Sequence, residues 1–111
     1  MPPSIAHTEC LEACAACAAA CDHCAASCLE EDDVRSMSRC IALDMDCAAM
    51  CRLAAAYVAR DSDFAAPVCR MCAEVCTACA DECVRHPHEH CQACAHACRR
   101  CAAACRTMSG A

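Results

Sequence analysis

The sequence predicts an all-α protein, an antiparallel up-and-down bundle of four helices whose core is lined with cysteine. Three observations carry that prediction. The 19 cysteines of this 111-residue chain fall into four groups in which every step is 3, 4 or 7 residues, the spacing of the inward a and d positions of a helical heptad. Ala accounts for 28 residues while Leu, Ile, Val and Phe together supply only 12, so helix propensity is high and the usual branched core is missing. Glycine occurs once, and Pro67 and Pro87 fall between cysteine groups, where a helix can end or restart.

Taken in order, Cys10, Cys14, Cys17, Cys21, Cys24 and Cys28 form one thiol stripe on a first helix expected over 6–29. The acidic stretch Glu30, Glu31, Asp32 and Asp33 then breaks the pattern, and its last residues are suited to cap and charge the start of a second helix over 34–60. That helix carries Cys40, Cys47 and Cys51, and its stripe continues without thiols as Ala54 and Val58. Asp61, Ser62 and Asp63 are expected to open a third helix over 64–85, bearing Cys69, Cys72, Cys76, Cys79 and Cys83. Pro87 disfavours helix at His86 and suits the first turn of a fourth helix over 88–107, with Cys91, Cys94, Cys98, Cys101 and Cys105. The first, third and fourth helices read as copies of one unit. Four helices of about 20 residues consume the chain, which predicts one domain over 1–111.

Short links make neighbouring helices antiparallel, and that order sorts residues between two ends. One end gathers the links 30–35 and 85–90 with Cys28, Met37, Cys40, Cys83 and Cys91; the other gathers His7, Cys10, Ala54, Val58, Cys69, Cys105 and Met108. The second end is expected to be drier, which places access at the first.

Composition excludes several functions. A net charge of −6 and 2% aromatic residues leave neither the cationic stripe nor the stacking rings of a nucleic-acid partner. The start, MPPSIAHTEC, has no basic cluster and no apolar run, so no signal peptide or membrane span is read and a cytosolic place is expected. In a reducing compartment a high cysteine count points to metal or redox chemistry, and an odd count of 19 cannot pair completely into disulfides. No Ser, His and Asp set with supporting glycine turns and no phosphate loop stands out, so no enzyme is expected.

Thiolate is a soft ligand that suits copper(I), zinc and iron–sulfur clusters. Zinc prefers isolated tetrahedral sets, and clusters of iron and sulfur use cysteines on loops, whereas this chain offers continuous rows. Copper(I) accepts two or three sulfurs and thiolates can bridge, which gives about one copper per thiol, on the order of 19 ions. Such a load is neutral; a matching load of divalent zinc would bury about one positive charge per sulfur. Smaller zinc loads, broader detoxification of silver or mercury, an iron–sulfur electron carrier and a thiol redox buffer remain as alternatives.

Other ligands are read at the first end. Asp44 occupies the second helix's stripe between Cys40 and Cys47, aiming a carboxylate inward as a ligand or as a partner for a histidine. His86 follows Cys83 on the third stripe, and His88 and His90 precede Cys91, so these imidazoles are candidates to receive incoming metal. Met37, on the face of Cys40, could offer a thioether or close a lid.

The motifs CLEACAACAAACDHCAASC, CRMCAEVCTACADEC and CQACAHACRRCAAAC, the sparser CIALDMDCAAMC and the histidine-rich HPHEHC resemble the cysteine-rich four-helix copper storage proteins, specifically their cytosolic branch without a signal. The likeness spans essentially the whole chain. It implies inward thiols that bind many copper(I) ions cooperatively as clusters, storage in the cytosol, and a homo-oligomer, a tetramer. The partners implied are copper ions and a copper chaperone or small-molecule thiol for exchange. The three-thiol second helix thins the metal-binding wall near Ala54 and Val58.

Overall fold

A computed structural model describes residues 4–110; residue 111 and residues 1–3, part of the opening read above for a targeting signal, lie outside the described residues. Among the described residues four α-helices and one short 3-10 turn form the fold, with no strand. They are α1 (Ile5–Cys28), α2 (Ser38–Ala59), α3 (Ala65–Cys83) and α4 (Glu89–Ser109). Each helix packs on two neighbours, α1 on α2 and α4, α3 on α2 and α4, so the chain runs up and down around one axis. The rod measures 50 × 19 × 17 Å. That narrow waist follows from the side chains between the helices, since Ala13, Ala18, Ala48, Ala54, Ala73, Ala80, Ala95 and Ala102 flank the cysteines and are buried with them. No helix among the described residues is long and apolar enough to cross a membrane.

The helix ends explain how the site is held. Ser4 caps α1, its Oγ accepting from the His7 backbone N–H at 3.1 Å. The stretch Val34–Met37, expected as the first turn of α2, is a 3-10 turn, and α2 begins at Ser38. The Ser36 and Ser38 hydroxyls donate to the carbonyls of Asp33 and Arg35, both at 2.8 Å, and this reach back over three residues favours the tighter winding. The winding carries Met37 into the core, 1% exposed.

Asp61 ends α2 instead of opening α3. It takes the left-handed conformation, φ 54°, while the Ser62 N–H reaches the Tyr57 carbonyl and the Asp61 N–H reaches that of Val58, each at 3.0 Å. These are the two bonds of a Schellman motif. Pro67, in the first turn of α3, occupies a position whose N–H has no helical partner to lose. Pro87, expected in the first turn of α4, falls outside it: His88 is extended, ψ 141°, and the helix begins at Glu89.

Candidate metal centre

Heptad spacing turns every cysteine to the axis, and all 19 are fully buried with free thiols. Neighbouring sulfurs stand 3.5 to 4.0 Å apart, both along a helix, as Cys17 with Cys21, and across the bundle, as Cys47 with Cys76. A metal ion bound roughly 2.3 Å from each sulfur can bridge sulfurs up to roughly 4.6 Å apart. Four-sulfur sets with every pair within 4.8 Å recur along the tube, among them Cys24, Cys28, Cys40 and Cys91 near one end, Cys17, Cys21, Cys47 and Cys98 in the middle, and Cys14, Cys72, Cys101 and Cys105 near the other. Cys17 and Cys101 each belong to more than one set, the geometry of a bridged lattice as opposed to isolated tetrahedral sites.

At contact distance the sulfurs other than that of Cys69 divide into two networks. Cys24, Cys28, Cys40, Cys79, Cys83 and Cys91 are joined by separations of 3.5 to 4.0 Å near the mouth. Deeper in, Cys94 joins Cys21 at 3.6 Å and through it Cys17, Cys47, Cys51, Cys76, Cys98 and Cys101. Cys72, Cys14, Cys105 and Cys10 extend this set toward the far end. Asp44 spans the divide, its Oδ1 accepting from Cys79 at 3.2 Å and Cys83 at 3.5 Å on one side and from Cys94 at 3.3 Å on the other. Its Oδ2 faces Cys40 at 3.8 Å. Burial pushes the Asp44 carboxyl up to about 10, with the Cys94 charge reinforcing the effect, so the metal-free interior holds a neutral acid there at pH 7.

Burial likewise pushes the Cys28 thiol up to about 11 and the Cys69 thiol to about 12, and raises Cys91. Nineteen thiols cannot all ionise in one dry tube without cations to neutralise them. Monovalent soft cations remove that obstacle one charge at a time.

At the mouth the structure separates the three histidines. His90 points Nδ1 at Cys91, Cys24 and Cys28, at 3.5, 3.6 and 3.8 Å, and Nε2 at the Glu31 carboxylate, 2.8 Å away. His88 stacks on the His90 ring, centroids 5.3 Å apart, and its Nδ1 lies 3.5 Å from the same carboxylate. His86 turns to Glu82, Nε2 to Oε2 at 2.7 Å, and Arg39 and Arg85 also approach Glu82. At the opposite end Ala54 and Val58 are buried; His7 bonds Ser4 and nears Asp61, and Met108 packs half-buried against the core. His23 and His96 are exposed.

The family model for copper storage proteins matches residues 4–110. The chain belongs to the copper storage protein family. Among solved members, the copper(I)-bound copper storage protein BsCsp3 is 47% identical with a TM-score of 0.89, the match covering 94% of this chain and 98% of that one. The cytosolic copper storage protein of Streptomyces lividans, in a structure with five coppers, is 44% identical with a TM-score of 0.92 and coverage of 96% and 93%. An uncharacterized cysteine-rich protein of Bacillus subtilis (strain 168) is 49% identical over 64 residues, 58% of this chain, and the chain spans 59% of the length of that relative.

Two carboxylates at this family member's mouth do not stand out in the sequence pattern. Glu31 stands within an acidic, helix-capping run, and Glu82, 8% exposed, lies beside the Cys79 to Cys83 stripe without extending it. The signal was present for Glu31: antiparallel order brings the first and third links to one end, which sets an acidic link against HPHEHC.

Proposed function

We propose that the chain is a non-enzymatic cytosolic store for copper(I), holding about one ion per cysteine in thiolate-bridged clusters along the bundle axis. The observation that carries this reading is the lattice of 19 buried, unpaired thiols at bridging separations. Membership of the copper storage family supports it, as does the likeness to a copper(I)-bound and a cytosolic member. Each incoming ion displaces about one thiol proton, so the loaded tube stays near neutral. The ligands are the 19 cysteines, with Asp44 between the two sulfur networks and His90 at the mouth. His88 and His86 serve the mouth from a second layer, and Met37 caps it from within.

Metal is taken up at the end bearing His90, from a copper chaperone or a small-molecule thiol. The assembly is a homotetramer, supported by the exposed apolar side chains Met45, Leu53 and Met71 on α2 and α3. Anaerobic titration of the reduced protein with copper(I) against a competing chelator tests the storage reading. Uptake approaching 19 equivalents is expected; saturation at one or two refutes it.

A further inference from the structure

We propose that Glu31 is a positioning residue for metal uptake, its carboxylate locking His90 in the form whose Nδ1 lone pair faces Cys24, Cys28 and Cys91. The proposal deepens the storage reading and rests on it for its kinetic consequence. A carboxylate can only accept, so the 2.8 Å contact from His90 Nε2 to Glu31 Oε2 assigns the proton of the neutral imidazole to Nε2. Nδ1 is then left unprotonated, 3.5 to 3.8 Å from the three sulfurs, as a ligand to an ion arriving among them. The hydrogen bond to His90 is the leading cause that holds the Glu31 carboxyl below its ordinary range. The same oxygen lies 3.5 Å from His88, whose ring stacks on His90 within 2° of parallel, so one acid sets both the tautomer and the plane of the ring.

Glu31 belongs to the link after α1, whereas His90 lies in the first turn of α4. The orientation of the mouth imidazole therefore depends on a group far away in sequence, carried by the link after the neighbouring helix α1. Glu30, Asp32 and Asp33 lie in the same link and are exposed or carry no bond to His90 among the described residues. They match Glu31 in charge and differ from it in contact, which makes them internal controls.

The experiment has two arms on the full chain. In the reduced, metal-free protein, nitrogen-15 NMR of the imidazoles at a pH where His90 is neutral reads its tautomer. A single Nε2–H form is expected in the parent and a mixture in Glu31→Ala. In the second arm, stopped-flow transfer of copper(I) from a chelating donor reads the initial loading rate. Glu31→Ala is expected to slow it about tenfold with the final number of ions unchanged, in line with the cost of losing the carboxylate behind a ligating histidine. Glu31→Asp keeps the charge but shortens the reach, and is expected to slow loading as well. Glu30→Ala and Asp32→Ala should leave the rate within about twofold, and His90→Ala/Glu31→Ala should load no more slowly than His90→Ala.

An unchanged tautomer in Glu31→Ala overturns the proposal, and so does equal slowing by Glu30→Ala, which would reduce Glu31 to general attraction of cations. Circular dichroism verifies that each variant is helical, and Glu31→Asp carries the test should the alanine variant fail to fold. A parent protein that binds only one or two ions defeats the storage reading instead, and leaves the tautomer arm to decide Glu31 alone.

Discussion

Replacing Asp44 by Asn should stabilise the metal-free protein at neutral pH, because the native carboxyl is kept protonated at a cost. Asp44 is fully buried and accepts thiol hydrogen bonds at 3.2 to 3.5 Å on Oδ1. Burial raises it from an ordinary 3.8 to about 10. At pH 7 the unfolded chain ionises this group and the folded chain does not, so the fold forgoes about 4 kcal/mol relative to acid conditions. The sign follows from the raised value: the fold binds the extra proton, its stability from this group is complete below pH 3.8 and declines as pH rises to about 10. Asn keeps the shape, does not titrate, and brings an amide N–H₂ whose imperfect pairing costs about 1 kcal/mol. The net expectation is a gain of about 3 kcal/mol for Asp44→Asn at pH 7, shrinking to nothing or a slight loss near pH 4. Urea unfolding of the reduced, metal-free proteins, followed by circular dichroism at both pH values, measures it. A difference that does not change with pH, or a variant less stable at pH 7, would refute the reasoning.

Three further outcomes can be checked. His90→Ala should lower the initial rate of copper(I) uptake about tenfold, whereas His86→Ala, whose ring faces Glu82, should leave it within about twofold; stopped-flow absorbance in the ultraviolet separates them. Cys47, within 4.0 Å of Cys17, Cys51, Cys76 and Cys98, bridges more than Cys69 does, so Cys47→Ser should lose about two copper equivalents and Cys69→Ser about one in a chelator titration. Asp61→Gly relieves a left-handed aspartate with φ 54° and should add about 1 kcal/mol, raising Tm by about 4 °C in a thermal melt of the metal-free protein.

Much of this architecture is legible in the sequence because a heptad stripe specifies which face of a helix is buried without reference to any other part of the chain. The positions of all 19 thiols and of Asp44 follow from that rule alone, and each of these residues is fully buried. Periodicity does not specify how a helix begins. The serines at 36 and 38 shape the start of α2 through bonds to carbonyls three residues back, and Asp61 closes α2 through a left-handed turn that asparagine or glycine would signal more plainly. It also says little about links. His86, His88 and His90 look alike as text; they differ because Glu82, four residues before it, claims His86 while Glu31 claims His90, and the second choice depends on side-chain reach between two links.

Asp44 shows where the two kinds of information meet. Its place in the stripe marks it as inward, but its consequence comes from residues on three helices, since Cys40 precedes it on α2, Cys79 and Cys83 come from α3 and Cys94 from α4. A cysteine at this position would make the sulfur rows continuous. The carboxyl instead leaves the six sulfurs of the mouth network separated from the deeper one at contact distance, with Cys79 reaching Cys21, Cys94 and Cys98 only within 4.8 Å. A neutral acid there has no need of a cation, while the thiols on either side cannot all ionise together without one. On the storage reading proposed above, metal gathered at the mouth would reach the deeper sulfurs past a group that must first surrender its proton to become a ligand, and the charge of ions already bound beside it would favour that loss.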